Sequence, residues 1–149
     1  MTGLYCMQTE DIGTLNDVLK IAFEKSQSCI EAAQNLIKFK DFDGAVNRAY
    51  YGIFGAVTCV HLLDENHFKK HKESIGIFNR DYINTGIFPK EFGLKIHNAA
   101  DARNDSDYNL YVKATETTAQ ENIDFAKELL AAVKIYCEDK INGTERKKF

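Results

Sequence analysis

The sequence predicts an all-α protein, an antiparallel up-and-down bundle of four to five helices. Three observations lead to this fold class. Pro89 is the only proline among 149 residues, so little interrupts helical hydrogen bonding. Strand-like alternation of apolar and polar residues is almost absent, whereas apolar residues recur three and four positions apart. The segments between these repeats are short and polar, which favours neighbouring helices that run antiparallel.

The first two helices are predicted in the N-terminal half of the chain. One begins after the Gly13-Thr14 turn and ends near Lys38, because apolar residues lie at helical spacing between these points. The segment KFKDFDG then interrupts the pattern. Asp41 is expected to cap a second helix, since its carboxylate can accept hydrogen bonds from free backbone amides, and this helix reaches about Leu63.

The second predicted helix is apolar around much of its circumference, which is typical of a helix in the middle of a bundle. One of its faces carries Arg48, Gly52, Gly55 and Cys59. A glycine inside a helix costs about 1 kcal/mol relative to alanine, so another group is expected to approach this face closely. A packed helix is the more common reason for such a glycine, and a ligand touching the backbone is the alternative.

Two further helices are predicted in the middle of the chain. A short one covers Glu73 to about Asn84, after the polar connection DENHFKKHKES. Pro89 suits the first turn of the next helix, where its missing amide hydrogen costs nothing. The inward stripe of that helix ends at Arg103, where the apolar signal runs out, so a charged group is expected to face other helices.

The last helix is predicted to start near Thr117, because Thr117 and Gln120 have the spacing of a capping box. A regular apolar seam follows, and the chain ends in the basic sequence INGTERKKF. No linker or internal repeat is visible. We therefore divide the chain into an N-terminal extension over residues 1–13, a single domain over residues 14–140 and a basic tail over residues 141–149.

Composition narrows the classes of protein and partner. A hydrophobic content of 44% with 28% charged residues indicates a globular chain rather than a disordered one. The formal net charge of -3 means that any contact with a nucleic acid needs a local basic patch. No apolar stretch is long enough to cross a bilayer and no secretory signal is visible, so no membrane contact and a cytoplasmic location are expected.

Signals for metals and cofactors are weak. The four cysteines form no C-x-x-C pair, and no glycine-rich phosphate loop is present. His67 and His71 have the spacing of helical metal ligands, but no third ligand is evident. The sequence therefore predicts neither a metal nor a cofactor.

Four short motifs occur in a fixed order, and each alone would be weak. They are AVNRAYYGIF from Ala45, KKH ending at His71, DYINTGIFPKEF from Asp81 and RNDSDY from Arg103 to Tyr108. Together they resemble the HEPN domain (higher eukaryotes and prokaryotes nucleotide-binding), in particular its small single-domain prokaryotic members. The resemblance covers about residues 18–138.

The resemblance implies a helical bundle that forms a homodimer. Many HEPN proteins act on or bind RNA or nucleotides, and many are encoded beside a minimal nucleotidyltransferase in toxin-antitoxin pairs. The implied partners are therefore a nucleotide or RNA, and a nucleotidyltransferase protein. Such a partner would make Tyr108 a candidate acceptor for nucleotide transfer.

The HEPN ribonuclease motif is incomplete in this chain. Active members carry an arginine followed after four to six residues by a histidine, which moves a proton while the arginine steadies charge on phosphorus. Arg103 matches the arginine, but Tyr108 and its two successors occupy the histidine window, and no histidine follows His97. Gly55 also stands where related sequences often have histidine.

Three hypotheses follow. The first is a non-catalytic or weakly catalytic protein that binds a nucleotide, RNA or a nucleotidyltransferase in a toxin-antitoxin-like system. Its binding residues would be Arg103, Asp107 and Tyr108, with help from Arg48, Tyr51 and His71. The second is a metal-independent endoribonuclease toxin, in which Arg103 acts with His97 as a substitute base. The third is a protein-interaction module that acts through its dimer surface.

Each candidate residue also has a purely structural interpretation. Arg103 and Asp107 are four residues apart, which fits either a helix salt bridge or a carboxylate that orients the guanidinium toward a phosphate. Tyr108 could stack on a base or cover the core. His71 lies among three lysines, which could bind a polyanion or simply form a solvated loop.

Overall fold

A computed structural model describes residues 14–146 of the chain, and its side chains as far as residue 143. The predicted extension over residues 1–13 and the last three residues of the tail lie outside this range. Within it are five α-helices, one π-helical segment and no strand. The helices are α1 (Leu15–Lys38), α2 (Phe42–Leu63), α3 (His71–Phe78), α4 (Glu91–Tyr108) and α5 (Glu116–Arg146), and the π-helical segment is Asn79–Ile83. The predicted all-α bundle is confirmed.

The first two helices begin at side-chain caps, and the cap of the second, Asp41, is the predicted one. Thr14 Oγ1 accepts a hydrogen bond from Asp17 N at 3.4 Å, and Asp17 Oδ2 accepts one from Thr14 N at 3.1 Å, which completes a capping box at the start of α1. Asp41 Oδ1 accepts from Gly44 N at 2.9 Å at the start of α2. Both helices start where a side chain supplies the acceptor that free amides need.

Helix α2 is the centre of the bundle and packs against the other four helices. Its glycine face lies on α1. A Cβ atom at Gly52 would lie 2.8 Å from Ile30 Cγ1, and one at Gly55 would lie 3.0 Å from Ser26 Cβ. Ser26 Oγ donates a hydrogen bond to the Gly52 carbonyl oxygen at 2.7 Å. Close helix packing therefore explains both glycines.

The middle helices differ from the prediction at their ends. Helix α3 starts at His71, two residues early, and continues into the π-helical segment, which ends at Ile83. Pro89 lies before α4 rather than in its first turn, because the helix begins at Glu91. The Pro89 carbonyl accepts a hydrogen bond from Phe92 N at 3.0 Å, so the proline forms a tight turn that leads into the helix.

The predicted cap of the last helix is wrong by two residues. Helix α5 begins at Glu116, and Thr115 Oγ1 accepts a hydrogen bond from Thr118 N at 3.1 Å. The preceding loop is fixed to α2, since Asp43 Oδ1 accepts from Ala114 N at 2.8 Å. The helix continues through Arg146, so this part of the predicted tail is helical. None of the described helices is long and apolar enough to span a bilayer.

Candidate functional site

Arg103 lies where α4 packs on α2, and three side chains contact its guanidinium. Nη1 donates a hydrogen bond to Asn104 Oδ1 at 3.4 Å. Nη2 donates a hydrogen bond to Tyr51 Oη at 3.0 Å, and Nε lies 3.0 Å from Asp107 Oδ2. Nε is buried and its N–H makes no aligned hydrogen bond, so the contact with Asp107 is an ion pair. The side chains of Arg103 and Asp107 are 20% and 25% exposed, which leaves part of the guanidinium open to solvent.

Asp107 also connects Arg103 to a second arginine. Asn47 Nδ2 donates to both carboxylate oxygens of Asp107, at 3.3 and 3.0 Å. Asn47 Oδ1 accepts from Arg48 Nε at 3.0 Å and from Arg48 Nη2 at 2.9 Å. The network thus runs from Arg103 through Asp107 and Asn47 to Arg48, and it contains two positive charges and one negative charge.

Tyrosine rings surround the two guanidinium groups. Arg103 Cζ lies 5.5 Å from the ring centroids of both Tyr50 and Tyr51, and 5.7 Å from that of Tyr108. Arg48 Cζ lies 4.9 Å from the Tyr51 centroid. Such contacts stabilise a cation by about 0.5–1 kcal/mol at exposed sites and more when desolvated. Tyr51 therefore contacts both arginines.

His71, the first residue of α3, lies against the same tyrosines. Its Nδ1 is 3.3 Å from Tyr50 Oη, and its ring stacks on Phe54 with the centroids 3.8 Å apart. Burial and, secondarily, the positive charge of Arg103 hold the pKa of His71 below its usual value. The imidazole is therefore neutral near pH 7. Nε2 has no hydrogen-bond partner among the residues that the structure describes.

Tyr50 connects this histidine to the arginine network. The residue is buried, and its Oη is within hydrogen-bond distance of His71 while its ring contacts Arg103. Burial raises the pKa of the Tyr50 hydroxyl, and the nearby Arg103 partly opposes that effect. The phenol therefore stays protonated near neutral pH and fixes the position of the imidazole.

Most of the predicted site residues come together in space. Those in the cluster are Arg48, Tyr51, His71, Arg103, Asp107 and Tyr108. His97 is not among them: it lies on the solvent side of α4, with Nε2 3.2 Å from Asp101 Oδ2. Lys69, Lys70 and Lys72 are exposed next to His71 and form a basic rim.

Sequence reasoning missed the role of Asn47 in this network. The residue lies inside the AVNRAYYGIF motif, directly before Arg48, and that position was the available signal. A spacing argument could not find it, since its acceptor, Asp107, is on another helix.

Arg48, Tyr51 and His71 also line a cavity of about 370 Å³ between α1 and α2.

The family model for the HEPN domain matches residues 19–136. The chain belongs to the HEPN family. A UPF0332 protein of Thermotoga maritima is 30% identical over 115 residues, which cover 77% of this chain and 87% of that protein. A protein of Methanocaldococcus jannaschii named "Putative toxin" is 29% identical over 102 residues, which cover 68% of this chain and 69% of that protein.

Membership in the HEPN family confirms the resemblance carried by the four motifs, and the structure adds contacts that their order in the sequence could not show. The HEPN motif residues His71 and Arg103 are far apart in sequence, yet both contact Tyr50. A histidine thus lies beside the family arginine, although none follows it along α4.

Proposed function

We propose that this HEPN protein binds RNA, or a nucleotide, through phosphate contacts with Arg48 and Arg103. The observation that carries the proposal is that the network of these two arginines contains one carboxylate, Asp107, which contacts Arg103 directly and Arg48 only through Asn47, so the network keeps an excess positive charge. Planar guanidinium groups suit phosphate because they can donate two parallel hydrogen bonds. The exposed lysines beside His71 would extend the same attraction along a polyanion.

The role of Asp107 in this proposal is to orient Arg103. An arginine held by one carboxylate and one phenol has little rotamer freedom left, so less entropy is lost when a phosphate binds. The partly buried position also strengthens each charge interaction relative to open water. Because the whole chain carries a net charge of -3, binding would be local and would weaken at high salt.

Binding of a short fluorescent single-stranded RNA to wild type and variants tests this function. We expect Arg103→Ala and Arg48→Ala each to weaken binding about tenfold or more, and each to reduce the salt dependence by about one contact. Arg80→Ala is the matched control, because Arg80 also pairs with an aspartate but is exposed and outside the cluster. Wild-type affinity in a folded Arg103→Ala protein would refute the proposal.

A metal-independent endoribonuclease is a second candidate function, and the position of His71 favours it. In the tautomer whose Nδ1–H donates to Tyr50 Oη, the free Nε2 of the neutral imidazole can accept the proton of a ribose 2′-hydroxyl near Arg103. The 2′-oxygen then bonds to phosphorus, and the bond from phosphorus to the 5′-oxygen breaks. Water supplies a proton to that oxygen, and the hydroxide that remains takes the proton from His71. The products are a 2′,3′-cyclic phosphate and a 5′-hydroxyl.

Cleavage of RNA in buffer containing EDTA tests this second function. His71→Gln should abolish cleavage, whereas His67→Gln, an exposed histidine four residues earlier, should leave it unchanged. His97→Gln should also cleave normally, since His97 pairs with Asp101 on the solvent side of α4. If the wild-type protein binds RNA without cleaving it, the nuclease function is refuted and only the binding function stands.

A homodimer and a nucleotidyltransferase partner are also part of the proposal. Large exposed side chains at the end of α4 support a protein contact there: Tyr108, Leu110 and Tyr111 are 74%, 92% and 96% exposed. Light scattering at high concentration should give a dimer, and a monomer would contradict it.

If a nucleotidyltransferase partner modifies Tyr108, the co-expressed protein should gain the mass of a nucleotide, and the Tyr108→Phe variant should not.

A further inference from the structure

We infer that the cavity between α1 and α2 takes the nucleobase of the nucleotide whose phosphate the arginine network binds. The inference rests on the proposed function and adds the place and the chemistry of base recognition. Arg48, Tyr51 and His71 belong both to the cluster around Arg103 and to the wall of this cavity. A ligand that reaches both would therefore be charged at one end and apolar at the other.

The walls of the cavity fit a flat aromatic group. Tyr51, Phe54 and His71 line it, and the His71 ring stacks on Phe54. Gly55, which packs on Ser26 of α1, adds a stretch of wall with no side chain. Proteins commonly bind an unstacked base by stacking it on aromatic side chains. The volume of about 370 Å³ is in the range of small-molecule sites.

The charges around the cavity select an anion. Its charged lining residues are Lys25 and Arg48, both basic. A larger cavity of about 520 Å³ between α1 and α5 differs, because its lining includes Glu24 and Glu138. Among the five cavities compared in the described residues, the one between α1 and α2 combines aromatic walls with purely basic charges. A nucleotide, with an aromatic base and an anionic phosphate, matches this combination.

Cys29 gives the cavity a built-in reporter, since it lines the wall and is half-buried. The other cysteines of the bundle are poor competitors: burial raises the pKa of Cys59 to about 12 and that of Cys137 to about 11. Cys6 lies outside the described residues and can be replaced by serine. The rate at which N-ethylmaleimide alkylates a Cys6→Ser protein therefore reports on access to the cavity.

The experiment compares AMP with ribose 5-phosphate, which has the phosphate but no base. We expect saturating AMP to slow alkylation of Cys29 at least fivefold, and ribose 5-phosphate to leave the rate unchanged. In calorimetry, AMP should bind at least about tenfold more tightly than ribose 5-phosphate, as expected for one base stacked on aromatic side chains. Phe54→Leu, which keeps apolar volume but removes the ring, should reduce that ratio. Cys29→Ser in the same background identifies the alkylated thiol.

The outcomes separate the two proposals. If AMP binding needs Arg103 but does not protect Cys29, or if AMP and ribose 5-phosphate bind equally well, the cavity does not hold the base and this inference is wrong, while the phosphate site stands. If neither AMP, ribose 5-phosphate nor RNA binds, the proposed function fails and this inference fails with it.

Discussion

Two histidines connect α2 and α3, and their surroundings differ: His61 belongs to α2 and contacts α3, and His71 belongs to α3 and contacts α2. His61 is 2% exposed, with Nε2 2.9 Å from the Ser74 carbonyl oxygen and with aromatic rings around it. His71 is half-buried, with Nε2 unpartnered within the described residues and Arg103 nearby. The pKa of each is lowered, chiefly by burial.

The difference between the two shows what a lowered pKa can mean. Carboxylates at Asp64 and Asp81 partly oppose the effect of burial on His61, whereas Arg103 adds to the effect of burial on His71. His61 keeps a neutral ring inside the core, where no ligand can reach it. His71 keeps a neutral ring at the edge of a cavity, beside a cation. Access and neighbouring charge, more than the pKa itself, distinguish a site histidine from a core histidine.

The largest expected effect is on stability. His61→Ala removes a buried ring and its hydrogen bond to Ser74, and should lower the free energy of unfolding by about 2–3 kcal/mol. His71→Ala should cost about 1 kcal/mol or less, since its ring is only half-buried. Urea denaturation of both variants measures the difference. Equal losses would remove the distinction between core and site.

A smaller effect is expected on the pH dependence of stability. Because both pKa values are lower in the folded state, the unfolded chain binds more protons, so the free energy of unfolding should fall as pH drops below about 6.5. Above that pH, the contribution of these two histidines to the free energy of unfolding is fully present. His71→Gln should remove part of the dependence, and His67→Gln, an exposed residue, should not. A flat profile in wild type between pH 7 and 5 would contradict the prediction.

The smallest expected effect is a shift in one titration curve. Replacing Arg103 by alanine removes a positive neighbour, so the pKa of His71 should rise while that of His61 stays unchanged. Nuclear magnetic resonance titration of the imidazole protons resolves the two rings. A shift in both histidines would mean that the variant alters the core, and a shift in neither would place Arg103 too far from His71 to act on it.

The sequence was sufficient where structure depends on neighbours along the chain. The start of α1 was predicted from the Gly13-Thr14 turn, and that of α2 from Asp41, whose side chain caps an amide three residues away. The cap of α5 was not predicted, because Thr115 rather than Thr117 accepts the hydrogen bond from a free amide. A contact from Asp43 to Ala114 fixes the loop just before Thr115. Local patterns contain no information about such a tertiary contact.

The same limit applies to the site. Arg103 and Asp107 share one helix, and their four-residue spacing predicted the ion pair. The family arginine could be recognised, but its distance from His71 depends on how α3 returns to α2, and no spacing rule covers that. Asn47 was missed for the same reason. The histidine pattern of the family concerns α4 alone, whereas the contact of His71 with Tyr50 comes from α3.

The contact between α1 and α2 has a consequence for selectivity. Gly52 and Gly55 let the backbones of α1 and α2 pack closely, because neither residue places a side chain between them. A residue larger than glycine at position 52 would clash with Ile30. Gly55 also lines the cavity between α1 and α2, so this part of its wall is main chain and cannot rotate aside. A thick guest would meet backbone there, so the protein should discriminate among molecules by thickness as well as by charge.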